Sequence, residues 1–471
     1  MSRTHRIKSW EPEDPAFWAA AGRRIANRNM WTSVFAEHIG FCMWSLWSVL
    51  VLFMTPKNGF TVSTADKFLL TSLVTLVGSL VRPGYGWAVT RLGGRTWTTV
   101  SALVMIVPAV LALVIIGNPH APFWAFLLCA AVSGLGGGSF ASSTTNINFF
   151  FPEREKGRAL GINAGAGNLG VAVVQLIGLL VIGVYGVGHP RVLPVIFIAL
   201  LLVSATLAWT LMDNLPGMRT DGSVYRAVLR DPHCWTICLL YIGTFGSFIG
   251  FSFAFGLVLQ NDFGRTPLQA AELTFIGPLL GSVARPLGGY LADRIGATRI
   301  TLVSFGGMLV GTAVVIAAST EHSLPLFTVA FVALFILSGL GNGSTYAMIS
   351  IPYAAAANAV GAGAETVLSN TGPSDTGLSS TGLSSTGTPR LTARRKTGAV
   401  ITIAGAFGGL GGVAINLAFR QSYQTAHNAR PALIGFMAFY AVCVAVTVLA
   451  GRRQAEQVRA ATDLVTAEVA A

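Results

Sequence analysis

The chain has 471 residues, 53% of them hydrophobic and only 11% charged, with a mean hydropathy of +0.64. That balance excludes a soluble globular domain and points to a protein that crosses a bilayer many times. The net charge of +12 is broken into short clusters between apolar runs, which is the pattern of a topology signal and not of a nucleic-acid-binding face.

Residues 1–30 carry Arg3, Arg6, Lys8, Arg23, Arg24 and Arg28 without an apolar core, so no cleavable signal peptide is expected there. Apolar stretches of roughly 20 residues then follow in order. They lie at 31–54, 66–90, 97–117, 122–151, 158–183, 193–212, 234–260, 268–292, 299–318, 324–359, 397–419 and 430–450. The expected fold is an all-α membrane protein of twelve transmembrane helices in two pseudo-symmetric six-helix bundles, residues 31–215 and 234–450. A linker at 216–233 joins the bundles and a tail covers 451–471.

Lys and Arg gather at the amino-terminal segment, Arg91/Arg95, Arg154/Lys156/Arg158, Arg219/Arg226/Arg230, Arg294/Arg299, Arg390/Arg394/Arg395/Lys396 and Arg452/Arg453/Arg459. The opposite loops hold only Lys57, Lys67, Arg191, Arg265, Arg420 and Arg430. The positive-inside rule therefore puts both termini in the cytoplasm of a multi-pass protein of the cell (plasma) membrane. Cys42, Cys129, Cys234, Cys238 and Cys443 all fall in or at spans, which argues against a disulfide framework. Cys234 and Cys238 lack His or acidic companions, so no metal site is expected. No cofactor motif is present, and the absence of a GxxxxGK[ST] segment argues against an ATP-driven pump.

The chain is internally duplicated. "GSLVRPGYGWAVTRLGGR" from Gly78 and "GSVARPLGGYLADRIGATR" from Gly281 share Gly-Ser, Arg-Pro and the later Gly, Arg and Gly positions. "SGLGGGS" from Ser133 and "SGLGNGS" from Ser338 agree at nearly the same displacement. A third pair, "GAGNLGVAV" from Gly165 and "GAFGGLGGVAI" from Gly405, is displaced by about 35 residues more. The excess falls in the Gly/Ser/Thr/Pro-rich stretch 361–397, expected to be a disordered cytoplasmic loop serving as a spacer.

The duplication places one arginine, Arg82 and Arg285, near the middle of a span in each half. A guanidinium at the bilayer centre costs about 2.5–3.5 kcal/mol even on a lenient insertion scale. The acids within or bordering the spans are few, chiefly Glu37, Glu272 and Asp293, so a small anion is the simplest missing partner for both arginines. A guanidinium is a planar fork of donors, suited to planar oxyanions held bidentately. The glycine-dense stretches let helices approach closely in lipid. Asn168 stands out in them, since its counterpart in the second repeat is a glycine. Glu37 and His38, adjacent in the first span, read equally well as local packing partners and as proton carriers.

These residues resemble the nitrate/nitrite porters of the major facilitator superfamily over nearly the whole chain. "NAGAGNLGVAVVQ" (Asn163 to Gln175) and "AGAFGGLGGVAIN" (Ala404 to Asn416) look like that family's two glycine-rich motifs, and Arg82 and Arg285 match its paired arginines. The resemblance implies a rocker-switch transporter rather than an enzyme, a functional monomer whose partners are nitrate, nitrite and, where uptake is proton-coupled, protons. It further implies that Asn168 and Tyr241 hydrogen-bond the anion, that Phe140 and Phe245 sandwich it, and that Gly165, Gly167, Gly408 and Gly409 line its path. "ADRIGATR" from Ala292 is similar to the superfamily's Asp-Arg-x-Gly loop, making Asp293 and Arg294 a conformational latch; the first half has Thr90 in place of the acid. Two alternatives stand beside that reading: a nitrate-sensing membrane receptor with little flux, and an exporter of other small organic anions.

Overall fold

A computed structural model describes residues 7–215, 222–349, 351, 353 and 387–470. Twelve long helices account for most of them. The first six are α1 (Pro15–Phe53), α2 (Thr64–Leu92), α3 (Gly94–Ile115), α4 (Phe123–Phe150), α5 (Glu153–Tyr185) and α6 (Val192–Leu211). After a short helix at Gly222–Leu229 come α7 (Pro232–Asp262), α8 (Pro267–Thr274 continued by Ile276–Ile295), α9 (Ala297–Thr320), α10 (Leu324–Met348), α11 (Gly387–Thr425) and α12 (Arg430–Ala470).

Local chemistry sets several of the starts. Ser63 accepts a hydrogen bond from the Asp66 amide at the head of α2, and Asp231 does the same for the His233 amide ahead of α7. Thr266 and Gln269 form a reciprocal capping box around Pro267 at the start of α8. Among the described residues, eleven helices are long and apolar enough to cross a membrane. The twelfth, α8, is interrupted at Phe275 and carries Glu272, Arg285, Asp293 and Arg294, which dilute its apolar character.

Three boundaries differ from the sequence reading. Residues 1–30 were expected to precede the first span as a separate segment, yet α1 begins at Pro15, capped by Asp14, and runs directly into it. Trp18 is buried, its indole donating to Glu155 at 2.9 Å, and the Trp10 indole donates to the Phe150 carbonyl at 3.2 Å. Aromatic burial thus fastens this basic stretch to the ends of α4 and α5. Likewise, α11 starts at Gly387, ahead of the expected 397, and α12 continues through the expected tail. The rest of the expected disordered loop, 361–386, lies outside the described residues.

Apolar side chains that remain exposed mark the lipid faces. On α3, Val100, Leu103, Val107, Val110 and Val114 recur at three- and four-residue spacing on one side. The reverse holds for α7, where every residue from Ser247 to Leu259 is buried, so this helix lies at the centre. The halves meet mainly where α2 packs along α11 and α5 along α8. Glycines permit the closest approaches: a Cβ on Gly137 would lie 2.8 Å from the Gly78 Cα, and one on Gly246 would lie 2.8 Å from the Gly411 Cα.

Candidate functional site

The two sequence-predicted arginines lie at the interface of the halves, each followed by a proline. In α2 the helix breaks at Val81 and resumes at Arg82, with Pro83 in the first turn where its missing N–H is tolerated. In α8, Pro286 follows Arg285 inside the helix. Both side chains are buried, 1% and 5% exposed, and among the described residues neither forms an ion pair with a carboxylate.

What compensates Arg82 is backbone and aromatic surface. Its Nε donates to the Gly137 carbonyl at 3.2 Å, and Nη1 donates across the interface to the Gly405 carbonyl of α11. The rings of Trp44, Phe140 and Phe245 surround Cζ, their centroids 5.3, 5.4 and 5.2 Å away, within the range of cation–π attraction. Nη2 has no partner. The fork is therefore only partly bonded, and its Nη2 end keeps donors for a ligand.

Arg285 is held more loosely. Its Nη2 donates to the Tyr241 hydroxyl at 3.1 Å, and the Tyr346 ring lies 5.7 Å from Cζ. Tyr241 and Phe245 are stacked, with centroids 5.4 Å apart. A wider π turn spans Ile242–Gly246, beginning just after Tyr241 and containing Phe245, a local irregularity that recurs at functional sites. Since Tyr241 bonds Arg285 while Phe245 faces Arg82, this stack links the arginines of opposite halves. Five of the expected site residues, Arg82, Phe140, Tyr241, Phe245 and Arg285, are thus brought together.

Asn168 is 1% exposed and neither end of its amide has a partner among the described residues, an arrangement that burial normally penalises unless a ligand is to be bound. The four expected path glycines divide. A Cβ on Gly408 would sit 2.5 Å from Tyr241 Cδ1 and 3.1 Å from Phe245 Cδ1, so glycine there makes room for the stack. Gly167 abuts the Glu37 carboxylate and Gly409 abuts Ser79, whereas at Gly165 the nearest atom, Pro286 Cγ, would be 4.0 Å away.

Glu37 and His38, though adjacent, face different neighbours, as consecutive helix positions must. Glu37 is buried and accepts from the Ser143 hydroxyl, which in turn accepts from Asn163 at 3.0 Å; the Glu37 Oε1 has no hydrogen-bond partner among the described residues. His38 Nδ1 meets the Ala166 carbonyl at 2.9 Å. Asp293 and Arg294 are exposed at the end of α8, with Arg294 over the Tyr290 ring at 4.5 Å. Among the described residues Asp293 makes no ion pair.

Sequence reasoning missed Trp44, Tyr346 and the carbonyls of Gly137 and Gly405. The two rings look like any aromatic in an apolar span, and a carbonyl acceptor has no residue signature. The Gly137 and Gly405 positions were nonetheless marked by the glycine repeats that contain them.

This fold and site define a polytopic membrane transporter of the two-bundle type. The model of the Major Facilitator Superfamily matches residues 38–414. The chain is 36% identical to the nitrate/nitrite transporter NarU of Salmonella typhimurium, over 96% of this chain and 97% of that protein. It is 35% identical to NarU of Escherichia coli over the same shares, and 35% identical to the probable nitrate/nitrite antiporter NarK2 of Thermus thermophilus over 72% of this chain and 81% of that one. The chain belongs to the major facilitator superfamily, among its nitrate/nitrite porters; it is a multi-pass cell-membrane transporter and not an enzyme.

The packing around the stack makes a clear contrast testable. Gly408→Leu should lower the stability of the purified protein by about 1–3 kcal/mol or more, as overpacking does. Gly165→Ala should be neutral or slightly stabilising, because it adds a methyl group to open space and helix propensity to α5. Thermal unfolding in detergent compares the two directly.

Proposed function

We propose that this protein carries nitrate and nitrite by alternating access, binding one anion between Arg82 and Arg285. The observation that carries the reading is the buried pair of guanidiniums that form no ion pair with a carboxylate among the described residues, contributed by opposite halves and joined by the Tyr241–Phe245 stack. A planar oxyanion would accept from the free Nη2 of Arg82 and from Arg285, with Asn168 supplying a further amide donor. Phe140 and Phe245, already against the guanidinium of Arg82, would cover the faces of a flat ion. A roomier organic anion fits this crowded aromatic enclosure poorly, and a transport role agrees with the names of the similar proteins.

The clusters of Lys and Arg support an orientation with both termini in the cytoplasm. Asp293 and Arg294 would then sit at the cytoplasmic mouth. Their exposure suits a latch that is open in this conformation and engages in another.

Charge decides what must accompany the anion. Moving one negative charge inward against 100 mV is opposed by about 2.3 kcal/mol, so accumulation needs a second flux. Exchange for nitrite cancels the charge, and two protons would reverse it. The arginines cannot serve as proton carriers, since a guanidinium stays charged at physiological pH. Glu37, with its unpartnered Oε1 and its hydroxyl and amide neighbours, is the candidate carrier. It gives a coupled-uptake reading a structural basis beside plain antiport.

Two experiments test this account. Arg82→Lys and Arg285→Lys keep the charge but lose the planar fork, and each should weaken nitrate binding at least about tenfold while the protein stays folded. Near-normal affinity in either variant would remove the two-arginine site. Glu37→Gln should abolish pH-driven nitrate uptake into proteoliposomes and spare nitrate/nitrite counterflow; full pH-driven accumulation in this variant would leave antiport alone.

A further inference from the structure

The two glycine motifs each end in an amide, Gln175 on α5 and Asn416 on α11, and the anion site uses neither. Both are buried, 2% and 0% exposed. Gln175 Nε2 crosses from the first half to the second and donates to the Ser252 carbonyl of α7 at 2.8 Å. Its other contact, Ser48 Oγ at 3.3 Å, stays within the first half. Asn416 Oδ1 accepts from Thr71 Oγ1 of α2 at 3.0 Å, and this bond also crosses between the halves. The Asn416 Nδ2 donates to the Gly412 carbonyl at 2.9 Å and reaches toward the Gly250 carbonyl at 3.5 Å. Pseudo-equivalent amides of opposite halves thus converge on α7 within one turn, at Gly250 and Ser252.

Everything farther from the termini continues the closure. Phe68 of α2 stacks on both Phe419 and Tyr423 of the other half, each at 5.4 Å. At the rim, Thr64 Oγ1 donates to Asn261 Oδ1 at 2.6 Å. On the opposite side of this layer lies Arg82, three turns along α2 from Thr71. The anion site is therefore shut off from the far face by an amide layer, an aromatic layer and a polar rim, in that order.

We infer that Gln175 and Asn416 are the gate residues that close the far side of the site, joining the halves by directional hydrogen bonds that a rocking motion can break and water can replace. The meaning of such a gate rests on the transport reading above, but its existence can be tested without nitrate. A gate of neutral amides suits the site behind it. A carboxylate here would repel the incoming anion and a cation would retain it, whereas an amide does neither. Each net hydrogen bond is worth roughly a two- to tenfold shift in population, so the pair favours closure while leaving opening accessible.

The test uses the full chain with Thr75→Cys. Thr75 is fully buried on α2 between Thr71 and Ser79, behind the gate, and the five native cysteines are all buried. A membrane-impermeant maleimide is applied to sealed vesicles from the face opposite the termini, without nitrate. The T75C thiol should label slowly, and adding Q175L or N416L should each raise the rate about two- to tenfold, with the double change raising it further. An unchanged rate in folded protein would overturn the gate. Should the leucine variants fail to fold, a T71C/N416C pair oxidised to a disulfide gives the second measurement. Cross-linking should stop anion exchange, and reduction should restore it to the level measured before oxidation. Exchange that continues in the cross-linked protein would equally overturn the proposal. A pair that shows no exchange before oxidation speaks against the nitrate reading, and the labelling rates then decide the gate.

Discussion

A guanidinium buried at the boundary between two helical bundles, with no carboxylate ion-paired to it among the described residues, is the constraint around which this structure is organised. Arg82 is 1% exposed, and leaving such a charge uncompensated would be costly. Its compensation comes from four helices at once: Trp44 of α1, Gly137 and Phe140 of α4, Phe245 of α7 and the Gly405 carbonyl of α11. Each contributes a partial charge or a π face rather than a full negative charge. The guanidinium is therefore stable enough to stay in place and still attractive to an anion.

Two of those contacts, Phe245 and Gly405, belong to the other half of the molecule, so the solvation of Arg82 depends on how the halves are arranged. Any motion that parts α2 from α11 removes the Gly405 carbonyl and leaves another N–H of the fork unpaired. A bound anion would replace it. Coupling between ligand and conformation then follows from differential contacts made in the two states, which is the only way a ligand can bias such an equilibrium. The glycines serve the same end: Gly408 leaves room for the Tyr241–Phe245 stack, and Gly137 lets α4 lie against α2 closely enough for its carbonyl to reach Arg82.

Much of this was legible in the sequence because membranes punish polar residues so strongly. Arg82 and Arg285 stood out against apolar runs, the duplication paired them, and the spans followed from length and hydropathy alone. α8 was read as a span by its apolar length despite its charges, and the duplication then matched it to α2. The contributions of Trp44 and Tyr346 were hidden, since an aromatic at the protein interior and one facing lipid read alike. The Gly405 carbonyl and the π turn at Ile242–Gly246 are backbone features without a residue signature. The basic amino-terminal stretch read as a separate segment because its charges hid the anchoring by Trp10 and Trp18, which depends on where α4 and α5 end in space.

The central claim is that both arginines grip one and the same anion. A double-mutant cycle on nitrate binding tests it most directly, using Arg82→Lys, Arg285→Lys and the two combined. If the forks share one ion, the first substitution already breaks the joint geometry. The double variant should then lose little more affinity than either single variant. Losses that simply add would show two independent sites and contradict the account.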